Sequence, residues 1–278
     1  MIRDISLDPI GWIGVFFAAW VILWLPMAIP LAQRLHWRPF QPATAAQKLP
    51  LLAILYGLAP LVLWSIQHLS ADDWADYGLG GYRLIPSAGA GLAIGLAGIA
   101  VLYGIRGVVL QRLHPDQPPL PWQQLSLPVL LGLLAVAASV GFIEELVFRG
   151  FLLHALGSHL DLWAAGAIAS VIFASLHLVW DGRGTVPQLP GLWLMGMVLT
   201  LACWVDDNAI GLAWGLHTGW VWGVATVDTL QGDRPPVTTP AWLVGIHGQP
   251  LAGALGLLLL LGTGGGLTIL TQMATGSP

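Results

Sequence analysis

Apolar residues run along this chain in long blocks, separated by short stretches where charges, prolines and polar residues collect. About 20 consecutive apolar residues are needed for a helix to cross the hydrocarbon core of a bilayer. Eight blocks meet that need, over residues 9–33, 49–69, 84–105, 126–156, 162–180, 189–205, 209–227 and 250–272. The first follows Arg3, Asp4 and Asp8 and is too long for a signal-peptide core, so it is expected to be a retained span. No alternation of polar and apolar positions supports a β-barrel, and in lipid only helices otherwise satisfy every backbone group. The expected fold is therefore an all-α polytopic membrane protein with about eight transmembrane helices. The connections over 34–48, 70–83, 106–125, 181–188 and 226–249 are too short to fold separately. Residues 1–278 are thus expected to form a single transmembrane helical domain.

Composition sharpens the class. Hydrophobic residues make up 56% of the 278 positions and charged residues 9%, against roughly 25% charged in an ordinary soluble domain. That deficit excludes a soluble globular enzyme, a disordered chain and a nucleic-acid binder. With 10 basic and 14 acidic residues there is no basic footprint for an anionic polymer. A single cysteine, Cys203, excludes an internal disulfide framework and any Cys-x-x-Cys metal site. Basic residues are biased to the odd-numbered connections, which carry Arg34, Arg38, Lys48, Arg106, Arg112, Arg183 and Arg234, against Arg3 and Arg83 on the other side. By the positive-inside rule both termini are expected outside and the odd connections in the cytoplasm, in a bacterial-type inner or plasma membrane. Trp20, Trp24, Trp64, Trp122, Trp180 and Trp242 lie near span ends and read as interfacial anchors.

Three charges do not sit in connections. Glu144, Glu145 and Arg149, which include both glutamates of the chain, fall inside the fourth block. Each ionised group at mid-bilayer costs about 2.5–3.5 kcal/mol on insertion scales, so the cluster must pair or face a cavity. Glu145 and Arg149 are spaced to meet on one helix face, with the acid in the favoured N-terminal position. Glu144 points about 100° away and is left for another task. A structural ion pair alone would leave Glu144 unexplained. His177 closes the run Ile172-Phe-Ala-Ser-Leu-His177 within the fifth block, at a depth similar to that of Glu144 if the two helices are neighbours, and a backbone-bonded histidine is the alternative to a catalytic one. In the seventh block Gly211, Gly215, Gly219 and Gly223 form one smooth stripe for close approach by another helix. His217 points away from the stripe on the side of Val221, where it is either a functional group or a helix–helix hydrogen bond.

A free carboxylate and two histidines in a partly dry cavity can activate water. The carboxylate takes the proton, one imidazole orients the water, and another donor stabilises the oxyanion. Glu144, His177 and His217 would also be the ligands if a divalent metal such as zinc were bound. Other intramembrane protease recipes are missing: there is no His-Glu-x-x-His, no Gly-x-Ser-x-Gly and no pair of intramembrane aspartates. Glu144-Glu145-x-x-x-Arg149, then Phe173-x-x-x-His177, then a late His217 resemble the CPBP family, the CAAX-protease and bacteriocin-processing or Abi group that includes type II CAAX prenyl endopeptidases. The resemblance covers roughly residues 126–227 and implies an intramembrane peptidase core there, flanked by accessory spans. It further implies Glu144 as general base with His177 as its partner, Glu145 as a supporting carboxylate on Arg149, and His217 in the oxyanion-stabilising pair. It implies a metal-free mechanism as well, so no cofactor is expected.

One position departs from that pattern. The family places asparagine or a similar polar residue four after the last histidine, where this chain has Val221, and the single asparagine, Asn208, lies outside the motif. Thr218 or the indole of Trp220 or Trp222 are the candidates to compensate. The expected partners are the bilayer and a membrane-associated protein or peptide substrate, with no nucleic acid and no expectation for oligomeric state. The alternative is a non-catalytic membrane scaffold or partner-binding subunit. A proton-relay transporter is a weaker option, for want of inverted repeats.

Overall fold

Eight long helices occupy the eight apolar blocks in the computed structural model, which describes residues 7–70, 72–116, 118, 120–232 and 240–275. Arg3, Asp4 and Arg234 of the charge comparison lie outside the described residues. The helices are α1 (Pro9–Arg34), α2 (Ala45–Leu69), α3 (Leu84–Leu113), α4 (Leu127–Glu145), α5 (Leu162–Asp181), α6 (Leu189–Val205), α7 (Gly211–Gln231) and α8 (Ala254–Thr275). Beyond Glu145, α4 continues as a π-helical run, Leu146–Leu152, and a last turn, Leu153–Gly157. No strand occurs among the described residues. By length and apolarity, six helical stretches among the described residues are able to cross a membrane, one being the 44-residue Leu162–Val205, and α7 is not among them. That stretch is about twice the hydrocarbon thickness and contains α5 and α6, joined by the 3-10 segment Gly182–Gln188. The chain is an all-α, multi-pass integral membrane protein.

Local chemistry starts the helices where it does. Asp8 caps α1, accepting from the Ile10 amide at 3.3 Å, with Pro9 at the first helical position. Asp161 caps α5 through the amides of Trp163 and Ala164, at 2.9 and 3.1 Å. At α2 the Thr44 amide donates to Gln47 Oε1 at 3.0 Å, a capping-box contact that starts the helix before the apolar block. Two connections expected from the charges begin inside helices, because α3 runs on through Arg106 and Arg112 to Leu113, and α7 to Gln231. Arginine has a long apolar stem, so a helix carries it into the headgroup region without ending there.

The chain divides into two compact units, residues 1–81 with 143–197 and residues 82–142 with 198–278. In the first, tryptophans tie α1 to α2. Trp20 Nε1 donates to the Leu55 carbonyl at 2.6 Å and Trp24 Nε1 to the Leu51 carbonyl at 3.1 Å. Trp20 is only 6% exposed, so it is an inter-helix staple and not an interfacial anchor. Trp180 packs on Trp24 and Trp37, with ring centroids 6.0 and 5.1 Å away, whereas Trp64 and Trp242 are exposed as anchors should be. Phe16 and Phe151, both buried, meet at 5.0 Å and bring α1 against the π-helical run.

In the second unit α7 lies directly on α3. A Cβ built on Gly215 would stand 2.0 Å from the Ala88 carbonyl oxygen, and one on Gly91 2.3 Å from the Leu212 carbonyl oxygen. The glycine stripe thus serves close backbone approach, and its partner is α3. A neighbouring face of α7 meets α4 through Trp214 Nε1, which donates to the Ala138 carbonyl at 2.9 Å. Asp206 ties the starts of α3 and α7 together, accepting from Ser87 Oγ at 2.7 Å and the Leu212 amide at 3.0 Å.

Gly215→Ala should therefore destabilise the protein by about 1–3 kcal/mol or more, through overpacking against backbone that has nowhere to move. Gly57→Ala, where a Cβ meets nothing within 4 Å, should leave stability unchanged or slightly raised. Thermal unfolding of the two variants in detergent compares them directly.

Candidate functional site

The charged cluster sits where α4 changes its winding. Glu144 and Glu145 are its last α-helical residues, and Arg149 lies in the π-helical run that follows. Such runs are rare and cluster at functional sites. Arg149 Nη1 donates to Glu145 Oε1 at 3.1 Å, four residues away on the same helix, with side chains 1% and 0% exposed. The pair expected from the spacing is present, and it is intrahelical, so it does not itself lock two helices together. Burial without a partner would be prohibitive for either charge. The Arg149 guanidinium also lies over the Phe173 ring, 4.9 Å from its centroid, adding a cation–π contact from α5.

Glu144 has a partner that sequence reasoning missed. The Tyr56 hydroxyl, on α2, donates a hydrogen bond to Glu144 Oε1. Tyr56 is one of only four tyrosines. A phenol in mid-span must find a polar partner in lipid, which was the available signal. No spacing rule links residues 88 positions apart.

Height along the helices follows from the aromatic contacts. Phe148, in the π-helical run, packs edge-on against Phe173 of α5 at 5.3 Å. The two helices are antiparallel neighbours joined by a short turn. One turn back from Phe148 is Glu144 and one turn on from Phe173 is His177, so both lie about 6 Å to the same side of that contact. His177 Nδ1 is 2.9 Å from the Phe173 carbonyl, and a carbonyl can only accept, so Nδ1 carries the proton. In the neutral imidazole this leaves Nε2 as an acceptor. The ring packs on Phe173 at 4.8 Å. His177 therefore makes the backbone bond that a structural histidine would make, and in its neutral form the other nitrogen can accept from water.

Glu144, Glu145, Arg149, Phe173 and His177 all belong to the first unit. His217 belongs to the second, on α7, and is 2% exposed. Of the groups considered beside Val221, Trp222 is engaged, its Nε1 donating to the Leu130 carbonyl at 3.1 Å. Thr218 Oγ1 and Trp220 Nε1 are buried and have no hydrogen-bond partner among the described residues. Asn208 is exposed at φ +65° in the turn before α7, a left-handed conformation asparagine tolerates, so a turn requirement accounts for it. Among the described residues no three His, Cys, Asp or Glu side chains cluster as a metal site would require.

Removing one partner of the buried pair should be costly and removing both mild. Arg149→Ala should lose about 3–5 kcal/mol of stability and deplete the protein from membranes, whereas Glu145→Leu with Arg149→Met should recover most of it. Immunoblots of membrane fractions and unfolding of the purified variants supply the comparison.

No curated protein and no solved structure matches the chain. The family described as type II CAAX prenyl endopeptidase Rce1-like matches residues 126–223, the stretch that runs from just before α4 to Gly223 of α7. It contains Glu144, Glu145, Arg149, Phe173, His177 and His217, and over that stretch the chain is similar to this family.

Proposed function

We propose that the protein is an intramembrane endopeptidase that hydrolyses a peptide bond of a membrane-associated protein or peptide, with its catalytic core over about residues 126–227. The observation that carries the reading is the division of labour between two adjacent glutamates. Glu145 is paired with the Arg149 guanidinium, while Glu144 accepts a hydrogen bond from the Tyr56 hydroxyl. His177 stands at the height of Glu144 with Nδ1 on the Phe173 carbonyl, which leaves Nε2 to accept from water in the neutral imidazole.

In the proposed reaction a water gives one proton to the Glu144 carboxylate, and its second O–H donates to His177 Nε2. The water oxygen forms the new bond to the scissile carbonyl carbon, and the carbonyl electrons move onto its oxygen. When the C–N bond breaks, protonated Glu144 returns the proton to the leaving amine. Tyr56 holds the carboxylate in place between these steps. On the family's pattern His217 is an oxyanion donor, and Thr218 Oγ1 and Trp220 Nε1 are candidates for the donor that Val221 does not supply. The reaction draws on no metal. Orientation by charge bias would put the cleavage site near the cytoplasmic face.

The test is release of product from a prenylated CAAX peptide, or a candidate leader peptide, by purified protein. Glu144→Gln should lower turnover by about 10²–10⁴-fold. Loss of an oxyanion donor in His217→Ala should lower it by about 10²–10³-fold. Tyr56→Phe, which keeps the ring but removes the donor to Glu144, should cost roughly tenfold in turnover and about 1–3 kcal/mol of stability. A zinc chelator should leave the rate unchanged. Val221 gives one specific ground for a second reading, a non-catalytic scaffold. In that case no peptide is cut, Glu144→Gln is silent in cells, and only Arg149→Ala, which removes the fold, reproduces a deletion.

A further inference from the structure

The second unit contains a cleft of about 1000 Å³, at the upper end of small-ligand pockets. It is lined by the C-terminal part of α3, the start of α4 and the C-terminal part of α7, together with the segment before α8. Trp222, the first α7 residue on its wall, lies five residues beyond His217, about 8 Å along the axis, and His217 itself does not line the cleft.

Its lining is amphiphilic. Ile99, Leu110, Leu130 and Val227 supply apolar wall, and Arg106 with Tyr103 and Gln111 a polar end. Arg106 sits over the Tyr103 ring at 5.6 Å from the centroid. Arg106 Nε and Tyr103 Oη are both buried without a hydrogen-bond partner among the described residues. A guanidinium is a planar fork of donors suited to a phosphate, and leaving one unmet beside an unmet phenol is costly. Asp228, exposed on α7, acts on Arg106 electrostatically but forms no ion pair with it among the described residues. Trp222 closes one wall through its bond to the Leu130 carbonyl, and Trp122 stands exposed at the rim, as residues at a membrane interface do. Gly104 and Gly107 also line the cleft, and a Cβ on either meets nothing within 4 Å. That space is open and is not needed for helix packing.

We infer that this cleft binds an anionic phospholipid, its phosphate on Arg106 and Tyr103 and its acyl chain along α3 and α7. The charge, the apolar wall and the interfacial tryptophans each suit one part of such a molecule. The cleft also lies at the end of the unit that the bias of basic residues expects in the cytoplasmic leaflet, where anionic lipids are enriched.

Native mass spectrometry of the full chain after incubation with phosphatidylglycerol or phosphatidylcholine reads this out. Phosphatidylglycerol should be retained about fivefold more than phosphatidylcholine, and Arg106→Gln should erase the difference. Gly107→Phe should lose both lipids by filling the cleft, while Asp228→Asn should raise phosphatidylglycerol retention. Each variant is compared at an unchanged elution profile and unfolding midpoint, and Gly104→Leu replaces Gly107→Phe if the latter misfolds. Equal retention of the two lipids, or retention unaffected by Arg106→Gln, would overturn the assignment. So would displacement by millimolar inorganic phosphate, which marks a simple anion site, or by a farnesylated CAAX peptide, which marks a substrate site.

Discussion

Everything around the candidate site depends on one ion pair that water never reaches. Glu145 and Arg149 are both essentially inaccessible and pair one helical turn apart, so neither charge is buried without an opposite one. Arg149 in turn lies over Phe173, and Phe173 holds His177 through both its carbonyl and its ring. A chain of contacts therefore runs from a carboxylate on α4 to an imidazole on α5 without any mobile loop in between. That is the kind of support a reactive pair needs, because a site whose surroundings are rigid does not spend binding energy on ordering itself.

The same contrast explains why two adjacent glutamates differ. Glu145 faces a cation and Glu144 faces a phenol, because neighbouring residues on a helix point about 100° apart. One carboxylate pairs with a guanidinium on its own helix, and the other takes a hydrogen bond from a neighbouring one. The second unit relies on shape in place of charge. At Gly91 and Gly215 the backbones of α3 and α7 lie closer than any side chain would permit. The glycines there are a packing requirement, and the residues between them are free to carry His217, Thr218 and Trp220.

What could be read from the chain was what helical geometry and lipid impose on it. The eight apolar blocks were visible because long apolar runs form helices in lipid, and the Glu145–Arg149 contact because four residues make about one turn. Helix ends were less legible. Arg106 and Arg112 looked like the start of a connection, yet α3 continues past both, since a long apolar stem lets arginine sit within a helix at the interface. Trp20 looked like an anchor, but composition cannot distinguish an indole facing headgroups from one bonded to the carbonyl of a neighbouring helix. Tyr56 was invisible for the same reason: its partner is set by how α2 meets α4, which no local pattern encodes. The π-helical run was also hidden, because its residues, Leu-Val-Phe-Arg-Gly-Phe-Leu, satisfy an α-helix equally well.

That run has a further meaning. A π-helical segment holds about one residue more than an α-helix of the same rise, so Leu146–Leu152 behaves as a single-residue insertion that the helix has absorbed without breaking. Everything after it is turned relative to where an unbroken helix would carry it. The carboxylates before the run and the guanidinium within it are thus set in two angular frames on one continuous rod. A helix built this way can face its catalytic candidates one way and its anchoring aromatics another, and a one-residue deletion would undo both while leaving the composition of the span unchanged.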